Sequence, residues 1–205
     1  MVNTFPKSIF EELSSRFKLA GFRQKGSVLQ KSLTGDASAF LGLGSTSLRD
    51  GSVTIFPVVG VRFEAVYKMG LELGFYPTST TSPTLSVALE YLIPPDRRRT
   101  YRFVDGPESF SELERLTHDV QKYAFPFYDS FDTVEKAAEN ALEGTIPELT
   151  GASALLPIQR LLAGDCQSAV QFAIDRLASM DQSRGTGQRY AAFVERLSAR
   201  CAAGR

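Results

Sequence analysis

Residues Ser52-Val53-Thr54-Ile55-Phe56-Pro57-Val58-Val59 run straight into Gly60-Val61-Arg62-Phe63-Glu64. Their β-branched and aromatic side chains fall on both alternating faces, the pattern of a strand covered above and below rather than wetted on one side. This stretch is expected to be the central strand of a sheet. Gly60 is expected to turn the chain out of the sheet, because glycine alone bends freely there. Phe63 to Leu73 then resumes at helical spacing, with Val66, Met69 or Gly70, and Leu73 on the apolar face and Gly74 as its stop.

The flanking sequence completes an antiparallel sheet. Upstream, Ile9, Phe10, Leu13 and Phe17 recur at helical spacing over Pro6 to Ala20, with Thr4 as a cap, Pro6 as an early helical residue, Gly21 as a terminator and Phe22 placed to fold back. Ser27 to Ser32 and Ala37 to Leu43 have strand character. The separators Thr34-Gly35-Asp36 and Arg49-Asp50-Gly51 carry the Gly and Asp that tight hairpins demand. After a hydroxyl-rich loop from Tyr76 to Pro83, Thr84 to Ile93 alternates like a strand, Pro94-Pro95 ends it, and Arg99 to Val104 supplies another. The expected sheet has about five strands.

From Pro107 onward the periodicity is helical. Ser109 with Glu112 reads as a capping box ahead of the stripe Phe110, Leu113, Thr117, Val120 and Ala124. Pro126 has no amide hydrogen and is expected to kink or break this helix. A shorter helix from Asp132 to Leu142, capped by Asp132, precedes the turn-rich stretch Gly144 to Gly151, the expected boundary. Pro157 to Ala163, Cys166 to Met180, and the stripe Tyr190, Phe193, Val194, Leu197 and Cys201 make the last third helical. The expected organisation is an α+β domain over residues 1–143 and an all-helical extension over 151–205 packed on it.

Charge narrows the function classes. The chain balances 23 basic against 23 acidic residues over 205 positions. Such a balance neither attracts a polyanion at long range nor mimics one, unless charge is segregated on the surface. Nucleic acid is therefore not an expected partner. No apolar run approaches the ~18 residues of a membrane span and the N-terminus lacks a signal-peptide pattern, so the expectation is a cytoplasmic protein with no membrane association. Cys166 and Cys201, with no Cys-x-x-Cys spacing, are expected to be reduced thiols, a disulfide being the alternative.

Candidate chemistry is sparse. His118 is the only histidine, with Glu114 and Lys122 one helical turn away on either side, and reads as a surface residue partnered across its helix, the alternative being a general base. Glu11-Glu12 and Asp129 with Asp132 read as helix caps or solvated faces before acid-base groups. Gly42-Leu43-Gly44-Ser45 and Gly185-Thr186-Gly187 lack the strand-to-helix context of a phosphate loop. No cofactor or metal is expected. Arg97-Arg98-Arg99, directly after Pro94-Pro95, reads first as a solvated turn, the alternatives being a loop whose guanidinium groups reach a partner's carboxylates or phosphate. Tyr76, Tyr101 and Tyr128 are further interface candidates, because tyrosine is enriched at contacts, with half-buried core packing the leading alternative. The candidate partner-binding set is Tyr76, Arg97, Arg98, Arg99 and Tyr128.

The N-terminal helix, Gly21-Phe22, the short strands, Pro57-Val58-Val59-Gly60-Val61-Arg62 and Tyr123-Ala124-Phe125-Pro126-Phe127-Tyr128 together resemble a group of bacterial domains of unknown function. Members of that group are similar to immunity proteins of polymorphic-toxin systems, and the likeness covers roughly the first two-thirds of the chain. It implies a cytoplasmic, non-enzymatic factor that neutralises a protein partner, and it brings no catalytic residues. Two other classes stay open: a hydrolytic enzyme using His118 or a carboxylate pair, and an adaptor whose helical tail presents a groove to a peptide.

Overall fold

The computed structural model describes residues 5–203 apart from Thr80, Thr145, Pro147, Glu148 and Gln182, with side chains from Lys7 onward. The expected cap Thr4 lies outside the described residues. Helix α1 (Phe5–Lys18) buries Ile9, Leu13 and Phe17. Gly21 then adopts φ 86° and Phe22 turns back, its ring 6.1 Å from that of Phe17. Four strands follow as a meander: β1 (Arg23–Lys25), β2 (Val28–Ser32), β3 (Ala37–Ser47) and β4 (Val53–Phe63). Every neighbouring pair is antiparallel.

Strand β4 is central, but Gly60 does not turn it out of the sheet. Gly60 sits in register between Phe40 and Ser86, and β4 continues to Phe63 before helix α2 (Glu64–Glu72) begins. The reason for glycine there is space: a Cβ on Gly60 would lie 2.7 Å from Pro83 and 2.8 Å from the Leu85 carbonyl oxygen. The far edge of β4 carries two strands in succession. β5 (Leu85–Ala88) pairs with Val58–Val61, and β6 (Tyr101–Phe103) pairs with Val53–Ile55, leaving Phe56 and Pro57 between the two ladders. The expected strand over Thr84 to Ile93 is thus shorter, its second half being a 3₁₀ turn over Leu89–Leu92. Strand β1 brings the sheet to six.

Side chains alternate strictly along β4. Val53, Ile55, Val59, Val61 and Phe63 are buried in one core cluster that also holds Leu29, Leu41, Val87 and the apolar faces of the helices. The even-numbered residues point to the opposite, back face.

Helix α3 (Glu108–Asp119) flows into a π-helical turn over Val120–Ala124 and then into α4 (Phe125–Ser130). The wide turn is how the chain accommodates Pro126 without stopping: the Phe125 amide donates to Val120 O, five residues back, and the proline takes a first-turn position of α4. The expected capping box does not form, because the Ser109 hydroxyl donates to Val104 O and Glu112 accepts from the Arg102 amide at 2.9 Å. Helix α5 (Val134–Glu143) is capped by Thr133, whose oxygen accepts from Lys136 N at 3.3 Å, while Asp132 instead pairs with the Lys136 ammonium at 2.9 Å.

The last third is helical, as α6 (Ala152–Leu162), α7 (Cys166–Ala178) and α8 (Gly185–Ala203). Helix α6 starts before Pro157 and keeps it inside. A proline leaves the carbonyl four residues back without its helical donor, and the Tyr190 hydroxyl of α8 donates to that carbonyl, Ser153 O, at 2.8 Å. The extension shares the core of the sheet domain: Phe75 lies 5.2 Å from Phe193, Arg196 donates to Leu73 O at 3.2 Å, and Thr150 exchanges backbone hydrogen bonds with Ser86 on the outer edge of β5. Cys166 and Cys201, expected as thiols, are joined as a disulfide across a Cα separation of 5.5 Å, because the start of α7 packs beside the end of α8.

Candidate functional site

The sequence candidates divide sharply by burial. Tyr76 and Tyr128 belong to the core and present no surface to a partner. The Tyr76 ring stacks on Tyr67 at 5.3 Å and seats against Gly70, and its hydroxyl has no hydrogen-bond partner among the described residues. Tyr128 is buried among Phe22, Phe125 and Phe127, with its hydroxyl donating to Phe40 O at 2.9 Å. Burial pushes both phenols well above the ordinary tyrosine value. Tyr101 is likewise buried; its hydroxyl donates to Asp119 at 2.8 Å beneath the Arg115 guanidinium.

The arginine run does lie outside. Arg97 ends a short 3₁₀ turn (Pro95–Arg97) and is exposed, 4.0 Å from Asp96. Arg98 is tied down, donating to Ile93 O at 3.0 Å with its guanidinium 5.4 Å from the Tyr91 ring. Arg99 is exposed and has no ion pair among the described residues. It borders a notch of about 70 Å³ with Phe56, Pro57, Ala88, Glu90 and Thr100, at the gap between the end of β5 and the start of β6.

His118 is exposed on α3 and is not partnered across its helix. Glu114 reaches away to Arg16 at 2.5 Å, and Asp119 is engaged by Tyr101. Of the acidic pairs, Glu11 is engaged by Lys7 at 3.5 Å, Glu12 by Arg16 at 3.1 Å and Asp132 by Lys136, while Asp129 is exposed. Gly42 and Gly44 lie within β3, so no helix start follows them, and Gly185 to Gly187 open α8. Among the described residues no three His, Cys, Asp or Glu side chains gather as metal ligands, and no helix is long and apolar enough to cross a membrane.

What the sequence reading missed is the back face of the sheet. One end is closed: Pro83 covers Gly60, and Arg62 lies 3.6 Å above the Tyr67 ring while donating to Ser79 O and to Glu64. That bond with Arg62 is the first cause holding the Glu64 carboxyl below its usual range. The other end is open. Phe56 is 52% exposed and Val58 38%, although both are on the central strand. In register across the strands, one row reads Lys25, Val28, Gly42, Val58 and Ala88, and beside it Gly44 faces Phe56. Gly42 and Gly44 add no side chain to this floor.

Cations ring this open floor. Arg102, past Phe56, is committed to Asp50 and Ser52, and Asp50 is held below its usual range by the Ser52 hydroxyl and amide and then by Arg102. Arg23 and Lys25 on β1, and Arg99 on the opposite side, have no ion pair among the described residues. The traceable sequence sign was the apolar character of both faces of Ser52 to Val59; nothing local told which face the fold would leave open. Comparison of the chain with protein-family models, with curated proteins and with solved structures returns no match.

Proposed function

We propose that the protein is a non-enzymatic protein-binding factor of the immunity or antitoxin kind, acting by covering a partner toxin. One observation carries this reading: the central strand places Phe56 and Val58 in solvent on a floor of Gly42, Gly44 and Ala88. A central strand with apolar residues on both faces has its stable form when both are covered, and a contiguous exposed apolar patch rimmed by polar groups is the mark of a contact surface. Arg99, from the candidate set, borders the same face. The expected likeness of the first two-thirds of the chain to bacterial domains that are themselves similar to immunity proteins is a second ground for it.

The experiment is capture from the native cell with tagged full-length protein, wild type against Val58→Asp. The expected result is a stoichiometric protein partner, retained by the wild type and lost by the variant, whose toxicity in a test host is relieved by co-expression of the wild type. A chain that retains no stoichiometric protein from its own cells overturns the reading.

A further inference from the structure

We infer that the open back face is a dock for an acidic partner surface, an apolar ridge with carboxylates at both ends; this rests on the protein-binding reading above and names the chemistry of what binds. The row Lys25, Val28, Gly42, Val58, Ala88 spans five strands, which at ~4.8 Å per strand is about 19 Å. The row beside it adds Gly44 and Phe56. The floor is therefore long, narrow and apolar, and the paired glycines keep it low enough for a ridge to lie on.

The charge at its ends decides the occupant. Lys25 ends the open row on one side, with Arg23 heading the neighbouring row of Gln30, Phe40 and Gly60, and Arg99 borders the notch on the other side. The remaining cations of this face, Arg62 and Arg102, are already neutralised by Glu64 and Asp50. Glu90, at the notch beside Arg99, is the one carboxylate lining that notch. The chain is neutral overall, so this segregation is local: α5 carries the exposed acids Glu135, Glu139 and Glu143 elsewhere. A second copy of the same face would bring uncommitted cations against cations, and a polyanion would leave Phe56 and Val58 in water. An apolar ridge ending in carboxylates answers both features, and oppositely charged rims set specificity and association rate.

The test uses three labelled helical peptides of about 13 residues, the length that spans about 19 Å at 1.5 Å per residue. All share a leucine and alanine ridge, and they carry glutamate, glutamine or lysine at the ends. Each is titrated against the intact chain by fluorescence anisotropy. The glutamate peptide should bind about tenfold more tightly than the glutamine peptide, an advantage that fades at high salt. Val58→Asp should abolish binding. The triple variant Arg23→Glu, Lys25→Glu, Arg99→Glu, all exposed positions, should reverse the preference to the lysine peptide, with circular dichroism melting confirming that it stays folded.

Equal binding of the three peptides, binding by none, or a preference that survives charge reversal overturns the inference. So does concentration-dependent dimerisation of the wild type that Val58→Asp removes, since a second copy would then be the occupant. A partner captured from cells and still held by Val58→Asp removes this face while leaving a protein-binding function standing. No captured partner together with no peptide binding removes both.

Discussion

Changing Tyr190 to Phe isolates one bond that holds the helical extension together. Pro157 inside α6 cannot donate to Ser153 O, and the Tyr190 hydroxyl, 37 positions away, does so instead at 2.8 Å. The Tyr190 side chain is almost wholly buried while Ser153 is half-buried. Removing the hydroxyl leaves a carbonyl with reduced access to water, which costs about 1–2 kcal/mol, within the range for a desolvated acceptor left unpaired. For a chain of this size that lowers Tm by about 2–8 °C. Urea unfolding followed by circular dichroism measures it directly. The decisive arm is a double-mutant cycle with Pro157→Ala, which returns a helical N–H to Ser153 O. In that background Tyr190→Phe should cost under about 0.5 kcal/mol. Equal costs in both backgrounds would refute the claim that the hydroxyl substitutes for the missing helical donor.

Four further outcomes are expected. Tyr76→Phe removes a buried hydroxyl without a hydrogen-bond partner among the described residues and should be neutral or stabilising by up to about 1 kcal/mol; clear destabilisation in urea would show that the hydroxyl is paired. Gly60→Ala should cost about 1–3 kcal/mol, because its Cβ would meet Pro83 and the Leu85 carbonyl, and a melting point equal to wild type would contradict that close approach. Burial pushes the Tyr190 phenol up to about 12 and raises those of Tyr76, Tyr101 and Tyr128 further. A raised folded-state pKa stabilises fully below the unfolded value and is lost above it, so stability should fall from about pH 10 upward, with phenolate absorbance of these four appearing only as the chain unfolds. Joining Cys166 to Cys201 closes a 35-residue separation, worth at most about 4 kcal/mol on the chain-entropy account. Reductant should therefore lower the melting point of the oxidised protein. In protein alkylated at lysis, two modified cysteines mark a reducing compartment and none marks an oxidising one.

The parts of the fold that could be read from sequence are those whose cause is local. The stripe of Ile9, Leu13 and Phe17, the turn at Gly21 and the hairpin at Asp50-Gly51 each depend on neighbours a few positions away. Gly60 was misread because its reason, Pro83 lying over it, comes from 23 positions downstream. Strand β1 went unseen because Arg23, Gln24 and Lys25 carry no apolar alternation; β2 pairs with them through the backbone. Pro126 and Pro157 looked like interruptions, yet a π-helical turn absorbs one and a distant tyrosine supplies the donor missing at the other. A tyrosine at an interface and a tyrosine in a core are the same residue, so residue type alone did not tell that Tyr76 and Tyr128 would be buried. The apolar character of Phe56 and Val58 was legible, but that they stand in the open is a property of how the loop ending at Pro83 covers one half of the sheet and stops.

The most direct measurement is hydroxyl-radical footprinting of Phe56, alone and in the complex captured from cells, with His118 on the exposed surface of α3 as internal reference. Phe56 should be oxidised readily in the isolated chain and strongly protected in the complex, while His118 is oxidised equally in both. A complex in which Phe56 stays as reactive as in the free chain would contradict the assignment of the back face as the surface through which this protein acts.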